Sequence, residues 1–581
     1  MAKVSDPTGP HSPVVSPLAL AVAAVLGAGA CQPSLAVNPA VYHLESVAVD
    51  GQAVPGGTPG EVITKLDIPA ITDAGYYYFR YQTVDTAKVH RDKFVSGGSN
   101  FSVESTLLEK GDPVQGALSN TSVVKSFKTP AVNTGESFAG MTMLTGAGNN
   151  GSVTSANDAA IMFQVPGGAL KVIAQEGVGA FGADGRYKSF GSVAIGDDTT
   201  PPSMALATFG ALGPITNVEA VYGTVFYTGR LFIEGTVTKF NDEGLWAYSM
   251  ERGHRLVLRE GDTLDVNGTN RVVKSFKTLV AAAPATGGGH SVVRDGCVAL
   301  LKFKDGAAAI AQLNANPLVP SFYPIVTGDA PQGLPTATYK SFGVASGHGG
   351  PPMAFAKVSD GSFRIASFLG GGTENVILDS HLPVAGHPLA FYKSVKDPVA
   401  NVDDSCATFA KLKGTDASGN VITTANDDVV VAALTIGSEP VVIAREGDLA
   451  PGAGAATFGK FKSLMLPDGA HGVIIDATLA INVNGVTSAN DEGLWAWLPT
   501  SGFNGGPLLQ PLVREGDVVN FGSGSETVTK INAFKAVVGS ADQQRSGNAS
   551  GQVLFLMQTR VGTNKPRNRV MKLTLGSSMP L

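Results

Sequence analysis

The sequence predicts an all-β fold, an eight-bladed β-propeller of four-stranded blades closed by an N-terminal strand. Three observations carry that prediction. The apolar runs are short, rich in β-branched and aromatic residues, and bounded by Gly, Asn, Asp and Pro, which is how strands read. A phrase centred on Lys-Ser-Phe recurs along the chain at about 66-residue intervals, the signature of a repeat architecture. The two ends of the repeat are complementary, because the first unit is preceded by a lone strand and the last unit lacks one. Seven blades is the alternative, should the first or last unit not count.

The chain has 581 residues, of which 43% are hydrophobic and only 15% charged, with 72 glycines. Low charge and abundant glycine suit many short strands joined by tight turns. The net charge of −6, with no run of Lys or Arg, excludes the basic face that nucleic-acid binding requires. Residues 1–31 read as a signal peptide or a lipoprotein signal. The apolar run PLALAVAAVLGAGA, from Pro17 to Ala30, is too short to span a membrane and precedes Cys31. A lipid on Cys31 is the one membrane attachment this reading allows, and the expected location is secreted or at the cell surface. Residues 32–42 form a linker, 43–576 a single propeller domain, and 577–581 a tail.

Three phrases recur in fixed order. The first closes a Val/Leu-rich run: LVLREGD (256–262), VIAREGD (442–448) and LVREGD (512–517), with weaker copies at 107–112, 172–177, 324–329 and 47–51. The second holds the lysines Lys65, Lys125, Lys188, Lys274, Lys340, Lys393, Lys462 and Lys530. The third is Asn-Asp, at 157–158, 241–242, 426–427 and 490–491. Unit seven shows four strands, A over about 459–466, B over 472–481, C over 493–499 and D over 508–515. The closing strand is HLESVAVDG (43–51), laid beside RNRVMKLTLG (567–576). Unit three is the longest, with its excess placed at 210–228.

Two of these phrases resemble those of the choice-of-anchor tandem-repeat family of exported bacterial proteins, known for an NxxGxxAF motif. Asn241, Gly244, Ala247 and Tyr248 match it except for the last aromatic, as do Asn490, Gly493, Ala496 and Trp497. Asn548, Gly551, Leu554 and Phe555 match loosely. The second family phrase, REGDxAPG, is complete from Arg445 to Gly452. The resemblance implies a propeller-like repeat fold and export, and it brings no established activity.

Antiparallel order places B–C turns and D–A links on one face, so both polar phrases should crowd there. Asp242, Asp262, Asp448, Asp491 and Asp517 are then the candidate Ca²⁺ ligands, since hard cations want clustered oxygens. Calcium is the one cofactor the sequence suggests. Glu260, Glu446 and Glu515, with His348 in the Gly-rich loop SGHGGPP, are candidate ligand-binding residues. Against this stands turn chemistry. Asn and Asp cap their own backbone, Gly supplies positive φ, and a feature that recurs in most blades reflects the fold more often than a site. Trp246 and Trp495 are expected to pack between blades. DVNGTN (265–270) and TDASGN (415–420) are expected to be hairpin turns. Cys297 and Cys406 are expected as buried thiols, with a single bond between them as the alternative.

The chain holds no GxSxG, HExxH, P-loop or strand-to-helix GxGxxG. The expected function is a monomeric, exported, non-catalytic propeller that binds an extracellular glycan or protein. The alternative is a hydrolase or lyase acting on extracellular polysaccharide. Such an enzyme should show a unique cluster of acids, His or Tyr in a central pocket, drawn from different blades and breaking the repeat.

Overall fold

The computed structural model describes residues 42–575 apart from internal stretches, the longest being 197–222, 281–291, 499–507 and 535–545. The leader and Cys31 lie outside the described residues, as do His348 and most of the long loop predicted in unit three. Within that loop, 225–228 already belong to a strand.

Eight antiparallel sheets, each with four principal strands A to D in sequential order, form an eight-bladed β-propeller. Blade 1 uses Val62–Leu66, Tyr77–Val84, His90–Gly97 and Ser105–Glu109. Blade 2 uses Val123–Phe127, Phe138–Thr145, Ala159–Gln164 and Lys171–Gln175, and blade 3 Tyr187–Ile195, Val225–Leu231, Glu243–Ser249 and Gly253–Arg259. Blade 4 uses Thr269–Thr278, Gly296–Phe303, Ala308–Asn314 and Phe322–Val326, and blade 5 Tyr339–Phe342, Met353–Val358, Phe363–Gly370 and Thr373–Asp379. Blade 6 uses His387–Val395, Cys406–Gly414, Asp428–Ala433 and Val441–Arg445, and blade 7 Phe458–Met465, Val473–Leu479, Glu492–Leu498 and Leu508–Arg514. Blade 8 takes Ser525–Asn532, Gln552–Arg560 and Arg567–Leu575 from one end of the chain and Tyr42–Val49 from the other. That last pairing runs from Tyr42 opposite Leu575 to Val49 opposite Arg569, so Arg567–Leu575 is paired on both sides and the ring is closed at the join.

The strand interiors read apolar on both faces because both faces are covered. Leu494 and Ala496 of blade 7 sit in a cluster with Val553 and Met571 of blade 8, while Trp495 faces a cluster with Val430 and Ala432 of blade 6. Trp246 and Trp495 are 0% and 1% exposed. Their indole N–H groups donate to Phe181 O at 2.9 Å and Pro451 O at 3.0 Å, in the links entering their blades, so both are packing residues. Cys297 and Cys406 are buried, in blades 4 and 6, and do not form a disulfide. Burial pushes the Cys406 thiol up to about 12.

Every strand A carries a β-bulge at the recurring phrase. In blades 2 to 7 the extra residue is the lysine, Lys125, Lys188, Lys274, Lys340, Lys393 or Lys462. In blades 1 and 8 it is Thr64 and Thr529, so Lys65 and Lys530 stand one residue beyond the predicted alignment. The buried flanking pairs Ile63/Leu66 and Val528/Ile531 set the register there, because a one-residue slip would turn the apolar set out of the core. Asn548, in the loose motif copy, lies in the A–B connection of blade 8, ahead of strand B, whereas Asn241 and Asn490 open strand C.

The A–B connections fasten neighbouring blades. Asn133, Asn401 and Asn548 each accept a backbone N–H four residues on, at 3.0 Å. Each donates through Nδ2 to a carbonyl in the following blade: Gly196 at 3.3 Å, Pro467 at 2.8 Å and, across the ring closure, Thr72 at 2.8 Å.

Candidate functional site

The two polar phrases do meet on one face, here called the upper face. Arg259 Nε donates to Asn241 O at 2.6 Å and Arg445 Nε to Asn426 O at 2.8 Å, tying the end of strand D to the head of strand C. Most of the remaining atoms serve the turns. Asn241 Oδ1 accepts Thr238 N at 2.6 Å, and Asn157, Asn426 and Asn490 accept Thr154, Thr423 and Thr487 in the same way. Asp262 and Asp517 each accept, through Oδ2, the N–H of the arginine three residues earlier, at 2.7 Å. The glycine between takes φ of +87° at Gly261 and +88° at Gly516, a conformation that a Cβ disfavours. DVNGTN is likewise a hairpin, with φ of +54° and +83° at Asn267 and Gly268. In TDASGN, Asp416 caps Ser418 N and Asn420 N, both at 2.9 Å.

The predicted calcium ligands are therefore placed as follows. Asp262, Asp448 and Asp517 sit in the D–A turns, and burial raises the carboxyl of each. Asp242 and Asp491 head strand C. Among the described residues, the acidic trio close enough to share an ion is Asp427, Asp428 and Glu446 of blade 6, with ligand atoms within 4.8 Å of one another. Lys411 already stands there, its Nζ 2.9 Å from Asp427 Oδ1 and 2.7 Å from Asp428 Oδ1, so a divalent ion would face an ammonium.

The glutamates behave differently from the rest of the phrase. Glu260, Glu446 and Glu515 use their backbone N–H to hold strand C, at 2.8 to 3.0 Å, and their carboxyls take no part in the turn. Burial pushes Glu260 and Glu515 up to about 7, with neighbouring acids adding to the effect (Glu243 and Asp242; Glu492 and Asp491). Glu446 is raised for the same reason, with Asp428 adding.

The charge pattern breaks in blade 7. The strand B residue opposite the phrase's serine is Arg230 in blade 3 and Lys411 in blade 6, and both pair with the acid heading strand C. In blade 7 that residue is Asp476, opposite Ser463. Asp476 is 3% exposed and Glu515 6%. Eight carboxyl residues are buried among the described residues, and six have a cation within ion-pair distance: Glu61, Asp158, Glu374, Asp379, Asp427 and Glu526. The two that do not, Asp476 and Glu515, share blade 7. Asp476 Oδ2 accepts Ser463 Oγ at 3.2 Å, and its Oδ1 has no hydrogen-bond partner. Burial pushes Asp476 up to about 7, Glu492 adding and Lys462 opposing.

Blade 5 breaks the repeat too, but with its charges matched. Arg364 bridges Glu374 and Asp379 at 2.8 Å each, and Asp379 Oδ1 holds His381 Nδ1 at 3.0 Å. Sequence reading passed over Asp476 and this group. The available signal was a charged residue inside an apolar strand, GVIIDATLAI, aligned with the lysine of CATFAKLKG.

The profile of a Family of unknown function (DUF7453) matches residues 20–315 and 329–564. The chain belongs to that family. No curated protein matches the sequence. Among solved structures, this DUF7453 protein is similar to the WD40 domain of SCAP from fission yeast, at 10% identity and a TM-score of 0.33, covering 92% of this chain and 99% of the other. It is also similar to the β-propeller domain of the Trilobed protease from Pyrococcus furiosus, at 10% identity and 0.31, covering 86% and 96%. A third is the polysaccharide lyase Uly1, at 9% identity and 0.32, covering 92% and 100%. Likenesses of this size bear on neither activity nor partner.

Proposed function

We propose that this DUF7453 chain is an exported, non-catalytic binding propeller that holds a protein ligand against its upper face. The observation that carries the proposal is the placement of exposed apolar side chains. Of 19 large exposed hydrophobics among the described residues, 13 lie on B–C turns, D–A links or the strand ends beside them. Six of the seven that are more than 60% exposed lie there: Ile233, Phe240, Leu382, Leu389, Val421 and Leu449. Single exposed apolar residues are ordinary, but their concentration on one face marks an interaction surface.

A protein fits this face better than a glycan. Five of those six residues are aliphatic, whereas sugar rings are stacked on aromatic platforms, and all three tryptophans are buried. The aspartates that close strand D favour a structural role over catalysis, because Asp112, Asp262, Asp329 and Asp517 each cap the equivalent turn of their blade through Oδ2. The NxxGxxAF and REGDxAPG phrases support export as part of the same reading.

The test is a screen of the protein against peptide and glycan arrays, alongside a panel of polysaccharides assayed for new reducing ends or unsaturated sugar products. Retention of peptides, weakened in Val421→Ser and Leu449→Ser, with no polysaccharide turnover, is the expected result. Turnover of a polysaccharide, or retention confined to glycans, contradicts it.

A further inference from the structure

We infer that blade 7 carries a receptor for one basic side chain of the protein ligand, formed by Asp476, Glu492 and Glu515 beneath Lys462. The inference rests on the upper face being the binding face and names what one part of it recognises.

The argument starts from equivalent positions. Blades 3 and 6 each set two cations against three acids: Arg230 and Lys188 against Asp242, Glu243 and Glu260, and Lys411 and Lys393 against Asp427, Asp428 and Glu446. Blade 7 sets Lys462 alone against Asp476, Asp491, Glu492 and Glu515. The missing cation is the one that strand B supplies in blades 3 to 6, as Arg230, Lys302, Lys357 and Lys411. A buried carboxylate without a cation is costly, and a cation brought in from outside relieves that cost as an internal one would.

Asp476 is the independent sign that something is accepted there. It is 3% exposed, and its Oδ1 has no hydrogen-bond partner. The groups that face it are Lys462 and Ser463 from strand A and Glu492 from the head of strand C; Glu515, at the end of strand D, shares Glu492 and Lys462 as neighbours and has Asp491 beside it. Lys462 is salt-bridged to Glu492 and its side chain is 43% exposed, so the cluster reaches solvent at that lysine. Apolar neighbours stand on the same blade's turns and links: Leu449 at 66%, Ile481 at 47%, Val483 at 44% and Val518 at 53% exposure. A lysine or arginine suits such a place, because its aliphatic stem packs on apolar surface while its head meets the carboxylates.

The ligand's cation replaces protons. Asp476 and Glu515 both sit at about 7, so near pH 6 they are largely protonated and offer little negative charge. Above pH 8 they are ionised and the site draws a cation. Binding therefore strengthens as pH rises and weakens with salt.

The experiment measures retention of the full chain on a densely immobilised, end-blocked Gly-Leu-Lys-Leu-Gly peptide, with norleucine in place of lysine as the control. Retention of the lysine peptide is expected to be about tenfold stronger than that of the control at pH 8, and the difference should largely vanish at pH 6. Asp476→Lys and Glu515→Gln are each expected to remove most of that preference, and Glu251→Gln, in an exposed C–D turn of blade 3 on the other face, to leave it. Thermal melts establish that the variants fold, and Asp476→Asn is the conservative second variant. Equal retention of both peptides, lost in Leu449→Ser and kept in Asp476→Lys, overturns the cation receptor and leaves the binding face standing. Retention of neither peptide by a folded wild-type chain overturns the receptor, while the array screen alone decides the face.

Discussion

Blades 6 and 7 are adjacent, share the same strand order, and spell the same phrases, VIAREGD and LVREGD, ITTAND and VTSAND. They differ in charge on strand B, where blade 6 has Lys411 and Lys413 and blade 7 has Asp476 and Thr478. In blade 6, Lys411 lies across Asp427 and Asp428, and the buried Asp427 also has Lys393 at 3.6 Å. In blade 7, Asp476 takes the lysine's place and two buried carboxyls are left without an ion pair. The difference teaches that this repeat separates its tasks. The recurring Asn, Asp, Gly and Trp build turns and blade contacts, and chemistry is free to appear only where a blade departs from its sisters.

The largest effect should come from making blade 6 resemble blade 7. Lys411→Asp leaves Asp427 short of a cation and adds a like charge, and should cost about 3 kcal/mol in a denaturant melt, at the low end for a broken buried pair because Lys411 is half exposed. Cutting the tie between the two blades comes next. Asn401→Ala removes the bonds to Pro467 O and Ser405 N and should cost about 2 kcal/mol, since the buried groups lose their partners. The reverse swap, Asp476→Lys, makes blade 7 resemble blade 6 and should stabilise by about 1 kcal/mol as the new ammonium meets Glu492. The smallest effect on stability belongs to the upper face itself. Leu449→Ser should change it by less than about 0.5 kcal/mol, while weakening peptide retention.

Much of the fold was legible in the sequence because repetition turns weak local signals into strong ones. Blade 7 is the clearest case, its four strands falling within two residues of the predicted bounds, and the pairing of HLESVAVDG with RNRVMKLTLG followed from what each end lacked. What was not legible depended on single-residue register. ITKL and VTKI align with VKSF by lysine when read as letters, but the bulge places Thr64 and Thr529 opposite the other blades' lysines, because the buried flanks decide. Of the candidate site, Glu515 was visible as one of the acids of a recurring phrase, whereas Asp476 was hidden in a strand that reads as core and gained meaning only once Lys411 was found at the same place in the preceding sheet.

The dependence of stability on pH tests the difference between the two blades most directly. Asp476 and Glu515 have folded-state values near 7, above the ordinary carboxyl range of about 4 in the unfolded chain. Below pH 4 both states are protonated and the pair costs nothing. As pH rises from 4 to 7 the unfolded chain releases these protons first, so their contribution becomes steadily less favourable, and it levels off above 7. The measurement is the unfolding free energy of wild type and Asp476→Asn across pH 4 to 8. The variant should be equal to wild type or weaker near pH 4, and should become the more stable of the two by pH 8, with the gap opening between pH 5 and 7. Parallel curves over that range would mean that Asp476 has its charge met within the fold, and that blade 7 does not differ from blade 6 in the way described.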